Sequence, residues 1–288
     1  MIALFGFGRL SIYAKIIFTF LLVIIPLYGL SMYINELSAD ALRREIVASM
    51  MSRVQFYKNT LERELDNVYS LQNNLALDSK FQLFGVAGHY VSNIERTDLM
   101  RDMQRQLRLI QNSNRLIQEV YVHFFDQDTT ITTNSLYSKL QKDAVMPLLH
   151  TAQEDALLYH NGKFYLRMTY PQSLRVLRTG TLPLFLVVTE ISPDALNYTL
   201  SSFSMNGPEF VSLSNPNGGW LLANRELPDD VVGNNNYISV SVHSDRYQFT
   251  MMSYALEDDI THPVKFFRNL FWWLSIFTLI VVLLYSYS

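Results

Sequence analysis

The chain has 288 residues, enough for one large domain or two modest ones with a real hydrophobic core. Charged residues make up 17%, below the ~25% of an ordinary soluble protein, while apolar residues reach 49% and the net charge is −3. With no basic stripe, nucleic acid is not an expected partner, and with no cysteine a disulfide framework, a thiolate nucleophile and any cysteine-ligated metal are excluded.

The apolar excess sits in two uncharged windows, Ile16–Asn35 and Asn269–Ser288, each as long as the ~20 residues needed to cross a bilayer core. The first window follows Arg9 and Lys15 with no acid before them, which suits a signal peptide or an anchor. Its apolar run is longer than the ~7–15 residues of a signal-peptide core, and the Ala39-Asp40-Ala41 triplet lies well beyond it, so an uncleaved anchor is the expectation. Pro26 inside it is tolerable, because neighbouring groups can satisfy the freed carbonyl. The positive tail favours an internal N-terminus, and two crossings return the C-terminus to the cytoplasm.

From Glu36 to about Phe84 there is no glycine or proline. Apolar residues recur there at Leu42, Ile46, Met50, Val54, Tyr57, Leu61, Leu65, Val68 and Leu75, the single face of a long helix. Two readings fit it: an amphipathic helix packed on its own domain, or a stalk continuous with the first span that passes motion along its axis. Asp78-Ser79 offers a cap for a further turn or two, and Gly85 and Gly88 break the pattern. Thr97 or Asp98 is expected to open the next helix, which carries Leu99, Met103, Leu107 and Ile110 on one face.

The period then changes from helical to alternating. QEVYVHFFD (Gln118–Asp126) reads as a strand with TTITT (Thr129–Thr133) as its hairpin partner, and a short helix is expected around Lys139–Thr151. LLYHNGKFYLRMTYP is a hairpin turning at Asn161-Gly162. TLPLFLVVTEI is a near-continuous apolar strand that belongs in the middle of a sheet. Ser192-Pro193 opens a helix, and EFVSLSN, GWLLAN, YISVSVHS and RYQFTMMSYAL follow as strands, the last two turning near Ser244-Asp245. A long helix, four to five antiparallel strands, a helix and four shorter strands predict two α+β units on one stalk.

The segment SIYAKIIFTFLLVIIPLYGLSMYI and the helix ending in LERELDNVYSLQNNLALD resemble the start of YesM-type bacterial sensor histidine kinases. The strands between the spans resemble a double Cache domain, a PAS-like extracellular sensor. The resemblance covers essentially the whole chain and rests on architecture rather than on an invariant motif. It implies an α+β fold in which two transmembrane helices flank a double Cache domain with two antiparallel sheets. The implied division is a cytoplasmic tail (1–11), a first transmembrane helix (12–35), a stalk (36–84), a membrane-distal subdomain (85–191), a membrane-proximal subdomain (192–262) and a second transmembrane helix (263–288). In relatives the second span leads into a HAMP linker and a kinase module. The residues of those modules have no counterpart before Ser288, so the kinase and its response regulator are partners only through a module outside this sequence.

The sequence carries no recognisable catalytic machinery. The six histidines, His89, His123, His150, His160, His243 and His262, show no metal-ligand spacing, and there is no G-x-S-x-G elbow or phosphate loop. No enzyme activity, metal or cofactor is expected. Glu257, Asp258 and Asp259 just outside the membrane fit either a divalent-cation bridge to lipid headgroups or a solvated, charge-matched helix start.

Alternation puts Val120, Val122 and Phe124 on one face of their strand, and Tyr121, His123 and Phe125 on the other. In KFYLRMTY, Phe164, Leu166, Met168 and Tyr170 lie opposite Tyr165, Arg167 and Thr169. With the apolar faces covering the stalk, Tyr121, His123, Tyr165 and Arg167 face the side where the resemblance places the ligand. Arg167 can grip a carboxylate or phosphate bidentately, and the tyrosines can stack on a sugar or ring. The competing reading is a sheet face open to solvent beneath loops.

The expected function is the sensing and relay portion of a two-component sensor kinase, binding a small extracellular solute and working as a homodimer in the cell membrane. The input module of a chemoreceptor or nucleotide cyclase, or a membrane-tethered binding protein without output, are the alternatives.

Overall fold

A computed structural model of the chain describes residues 12–138, 156–171, 182–203, 210–215, 219–225, 237–257, 266, 269–278 and 280–281. Helix α1 runs from Ile12 to Leu77, 66 residues, and continues through Pro26. It contains the one stretch among the described residues that is long and apolar enough to cross a membrane, and none of that stretch is buried. The helix expected at Lys139–Thr151 lies outside the described residues, as do His150, Asp258, Asp259 and His262.

Two compact units emerge. The first comprises Met1–Met50, Val231–Ile238 and Ala255–Ser288. Within it, residues 269–278 of the second apolar window are helical. The Tyr28 ring lies 5.3 Å from Trp272 and 6.0 Å from Phe271. Glu257, from the acidic triplet, sits 3.6 Å from Arg43.

The second unit, Met51–Asp230 with Ser239–Tyr254, holds both sheets. Here α1 buries Val54, Leu61, Leu65, Val68 and Leu75, the apolar face expected from its spacing. Tyr57 is half-buried, stacked 4.4 Å from Phe203 and donating its hydroxyl to that residue's carbonyl at 2.6 Å. Asp78 caps α2 (Ser79–Ala87), accepting from the Lys80 amide. Gly85 does not end this helix: it is buried within it, where an added Cβ would stand 3.3 Å from Phe185.

Helix α3 spans Asn93–Ser113 and starts earlier than Thr97. Ser92 and Glu95 form a reciprocal capping box, so two otherwise orphaned amides are satisfied at that point. The first turn carries Ile94 at 77% exposure, outside the buried stripe of Met100, Met103 and Leu107, and this hid the true start.

The larger sheet has six strands: β1 (Ile117–Phe124), β2 (Thr129–Thr132), β3 (Leu136–Ser138), β4 (Leu158–His160), β5 (Lys163–Tyr170) and β6 (Phe185–Ile191). Their order is β3-β2-β1-β6-β5-β4. β6 is central, as its apolar run demands, with every residue buried. The β4–β5 turn puts Asn161 at φ 50° and Gly162 at φ 81°, the left-handed pair that an Asn-Gly hairpin needs. The three-residue edge strand β3 is an addition to the expected set, too short to show a period.

Helix α4 (Pro193–Phe203) is opened by Ser192, whose hydroxyl accepts from the Ala195 amide at 3.2 Å. The smaller sheet consists of β7 (Phe210–Ser214), β8 (Leu221–Ala223), β9 (Tyr237–Ser244) and β10 (Phe249–Leu256), in the order β8-β7-β10-β9.

Candidate functional site

The antiparallel register of the larger sheet fixes which residues share a face. Tyr121 pairs with Thr132 on one side and Val188 on the other, and Val188 pairs with Arg167. The next row holds Thr130, His123, Leu186 and Thr169, and the row on the opposite side holds Glu119, Glu190, Tyr165 and Leu158. The four expected site residues therefore lie on one face, spread over β1 and β5 with β6 between them. At a strand spacing of ~4.8 Å, the backbones of Tyr121 and Arg167 are roughly 10 Å apart.

The opposite face carries Val120, Val122, Phe124, Phe164, Leu166 and Met168, each nearly or fully buried. Phe84 of α2 packs on Phe124 at 4.8 Å, and Gln72 of α1 reaches the same face. The Gln72 Nε2 amide donates to the Leu166 carbonyl at 2.9 Å and to Thr189 Oγ1 at 2.8 Å. Leu166 stands between Tyr165 and Arg167 in the chain, so α1 holds the backbone directly behind two candidate residues.

An open, solvated face does not describe this site. Arg167 is 0% exposed and His123 is 4% exposed. His123 Nδ1 lies 2.9 Å from Thr130 Oγ1, and its ring meets Phe125 edge-on at 4.8 Å. Tyr121 and Tyr165 are half-buried against Leu186 and Val188.

Two residues absent from the sequence-based set complete the face. The Glu190 carboxylate is almost wholly buried and takes both oxygens to Lys163 Nζ, at 2.8 and 2.9 Å. That hydrogen bond holds the Lys163 ammonium above its ordinary pKa. Burial is the main reason that the Tyr121 phenol is pushed far up, with Tyr165, Glu190 and Glu119 adding to it. The Tyr165 phenol rises for the same leading reason, followed by Glu190. Both tyrosines thus stay neutral donors at physiological pH. The face is acidic at the Glu119–Glu190 end and cationic at Arg167. Alternation along TLPLFLVVTEI, continued to its end, would have placed Glu190 beside Val188 and Leu186; reading the run only as apolar core concealed it. Among the described residues no cluster suited to a metal ion is present.

No protein-family model and no curated protein matches this sequence. Among solved structures, the chain is similar to the sensor domain of the histidine kinase DctB from V. cholerae. The TM-score is 0.51 at 10% identity, over 74% of this chain and 98% of that one. It is equally similar to the ligand-binding domain of Mlp24 with asparagine, with a TM-score of 0.51, 11% identity, and 79% and 98% coverage. The chain has the α+β fold, with a long N-terminal helix and two antiparallel sheets, of ligand-binding sensor domains.

Proposed function

We propose that the chain is the signal-sensing and transmembrane-relay portion of a YesM-type sensor histidine kinase. In this reading a small solute binds on the Tyr121–His123–Tyr165–Arg167 face of the distal sheet, outside the membrane. The boundaries follow the division into distal (85–191) and proximal (192–262) Cache subdomains, with the segment 263–288 as a second crossing that returns the chain to the cytoplasm. The protein acts as a homodimer, and phosphotransfer belongs to a kinase module outside these 288 residues.

The observation that carries the reading is the pairing of opposite roles on one sheet. One face presents a buried arginine, a buried histidine and two neutral tyrosines. The other is hydrogen-bonded through Gln72 to the stalk. A solute that binds one arrangement of β5 more tightly than another shifts the stalk by that differential affinity.

A thermal-shift screen of the full chain in detergent against sugars, organic acids and amino acids tests it. A ligand at one hundred times its Kd adds about 2.7 kcal/mol of stability, a rise of several degrees. Arg167→Lys and Tyr165→Phe should each weaken that rise. A ligand that stabilises both variants as strongly as the parent would place its site elsewhere.

A further inference from the structure

The turn at residues 245–248, which joins β9 to β10, is fastened on two sides. Toward the stalk, the Arg246 guanidinium and the Tyr247 hydroxyl both donate to Asp66 Oδ1, at 2.5 and 2.6 Å. Ser244 Oγ donates to Glu62 Oε1 at 2.7 Å, and Lys58 Nζ lies 3.3 Å from the same oxygen. The guanidinium also lies 5.4 Å from the Tyr69 ring centre. Lys58, Glu62, Asp66, Tyr69 and Gln72 are spaced by four, four, three and three residues, so one stripe of α1 makes all these contacts.

Toward the larger sheet, the Tyr247 carbonyl accepts from the Leu157 amide at 3.0 Å. Leu157 immediately precedes β4, the outermost strand of that sheet, which pairs with β5 through Leu158 and Tyr165. Tyr247 is fully buried, so neither contact is a surface accident. A second link runs nearby: Trp220, before β8, packs edge-on to Phe164 at 4.9 Å.

We infer that the 245–248 turn is a mechanical joint that locks the stalk, the smaller sheet and the β4–β5 edge of the larger sheet into one moving body. Gln72 holds the back of β5 and the turn holds β4, so a displacement of the β4–β5 hairpin reaches α1 at Asp66 and Gln72, about 1.7 turns apart. That this joint carries a ligand signal rests on the sensor reading above; that it couples the three parts does not.

Hydrogen exchange on the full chain in lipid nanodiscs, with no solute added, tests the coupling. Asp66→Asn keeps the shape of the side chain but removes its charge, and Tyr247→Phe removes a single hydroxyl. Each should speed exchange of the 244–248 amides and of Leu157–His160 together, by roughly five- to thirtyfold, with β1 and β6 unchanged. Faster exchange confined to the turn would overturn the joint, because the sheets would then open independently. A rise spread evenly over both sheets would overturn it too, as plain destabilisation. Should Asp66→Asn fail to fold, Tyr247→Phe decides the question alone. Since no ligand enters the experiment, failure of the sensor reading leaves its outcome untouched.

Discussion

Replacing Gln72 with methionine probes the link between α1 and the larger sheet. Methionine fills a similar volume but removes the donor that serves the Leu166 carbonyl and Thr189 Oγ1. Both partners are buried, Thr189 at 0% exposure, so water cannot replace the lost bonds. Each lost bond is worth about 1 kcal/mol net. Against this, Gln72 Oε1 is itself buried with no hydrogen-bond partner among the described residues, and removing it relieves part of the cost. The net expectation is a loss of about 1–2 kcal/mol, or a fall of ~2–8 °C in Tm for a domain of this size. Thr189→Val removes one acceptor and should cost about 1 kcal/mol. The double variant leaves no stranded hydroxyl, so it should be more stable than the summed singles predict, by about 0.5–1.5 kcal/mol. Thermal unfolding of the full chain and its three variants in one detergent completes the cycle. Strict additivity, or a neutral Gln72→Met, would refute the claim that this glutamine grips the sheet.

Alkaline pH offers a second measurement. Tyr121, Tyr165 and Lys163 all have folded pKa values raised above their ordinary 10.0, 10.0 and 10.5. The unfolded chain therefore loses these protons first, and stability should decline as pH climbs past about 10; Tyr121→Phe should flatten that decline in a Tm series from pH 8 to about 11. Ser92→Ala removes the capping box of α3 and should cost about 1 kcal/mol, read as reduced Tm and faster exchange in the first turn of that helix. Gly88→Ala would drive a Cβ into the Gln127 amide and to 2.6 Å from the Phe84 carbonyl. It should destabilise by about 1–3 kcal/mol, checked by urea unfolding, whereas Gly162→Ala acts through its left-handed φ alone.

Much of the chain was legible because its signals are local. The apolar spacing of α1, the Asn161-Gly162 turn, the Ser192 cap and the unbroken apolar run of β6 each act within a few residues, and each appears in the structure as expected. The shared face of Tyr121, His123, Tyr165 and Arg167 was also legible, because alternation is a property of single strands. What escaped was the set of relations between strands. No period in the sequence says that β6 lies between β1 and β5, and without that placement Glu190 and Lys163 do not join the face. Gln72 and Asp66 escaped for a related reason. Polar residues on an amphipathic helix read as solvated until a sheet is seen against them. The start of α3 was misjudged because hydrogen-bond chemistry, not hydrophobic period, sets it.

The central position of β6 also carries a cost in time. The strands β1 to β3 and the hairpin β4–β5 can each form from neighbouring residues, but neither group completes the sheet alone. β6 pairs Phe185 with Phe124 on one side and with Tyr170 on the other, and it is the last of this sheet's six strands in chain order. Closure of the larger sheet must therefore wait until Ile191 is available, and non-local pairing of this kind slows folding. Until then the inner edges of β1 and β5 stay unpaired beside apolar side chains, the state most open to mispairing. Completion of the chain through Ile191 is therefore the step before which the shared face of Tyr121, His123, Tyr165 and Arg167 cannot exist.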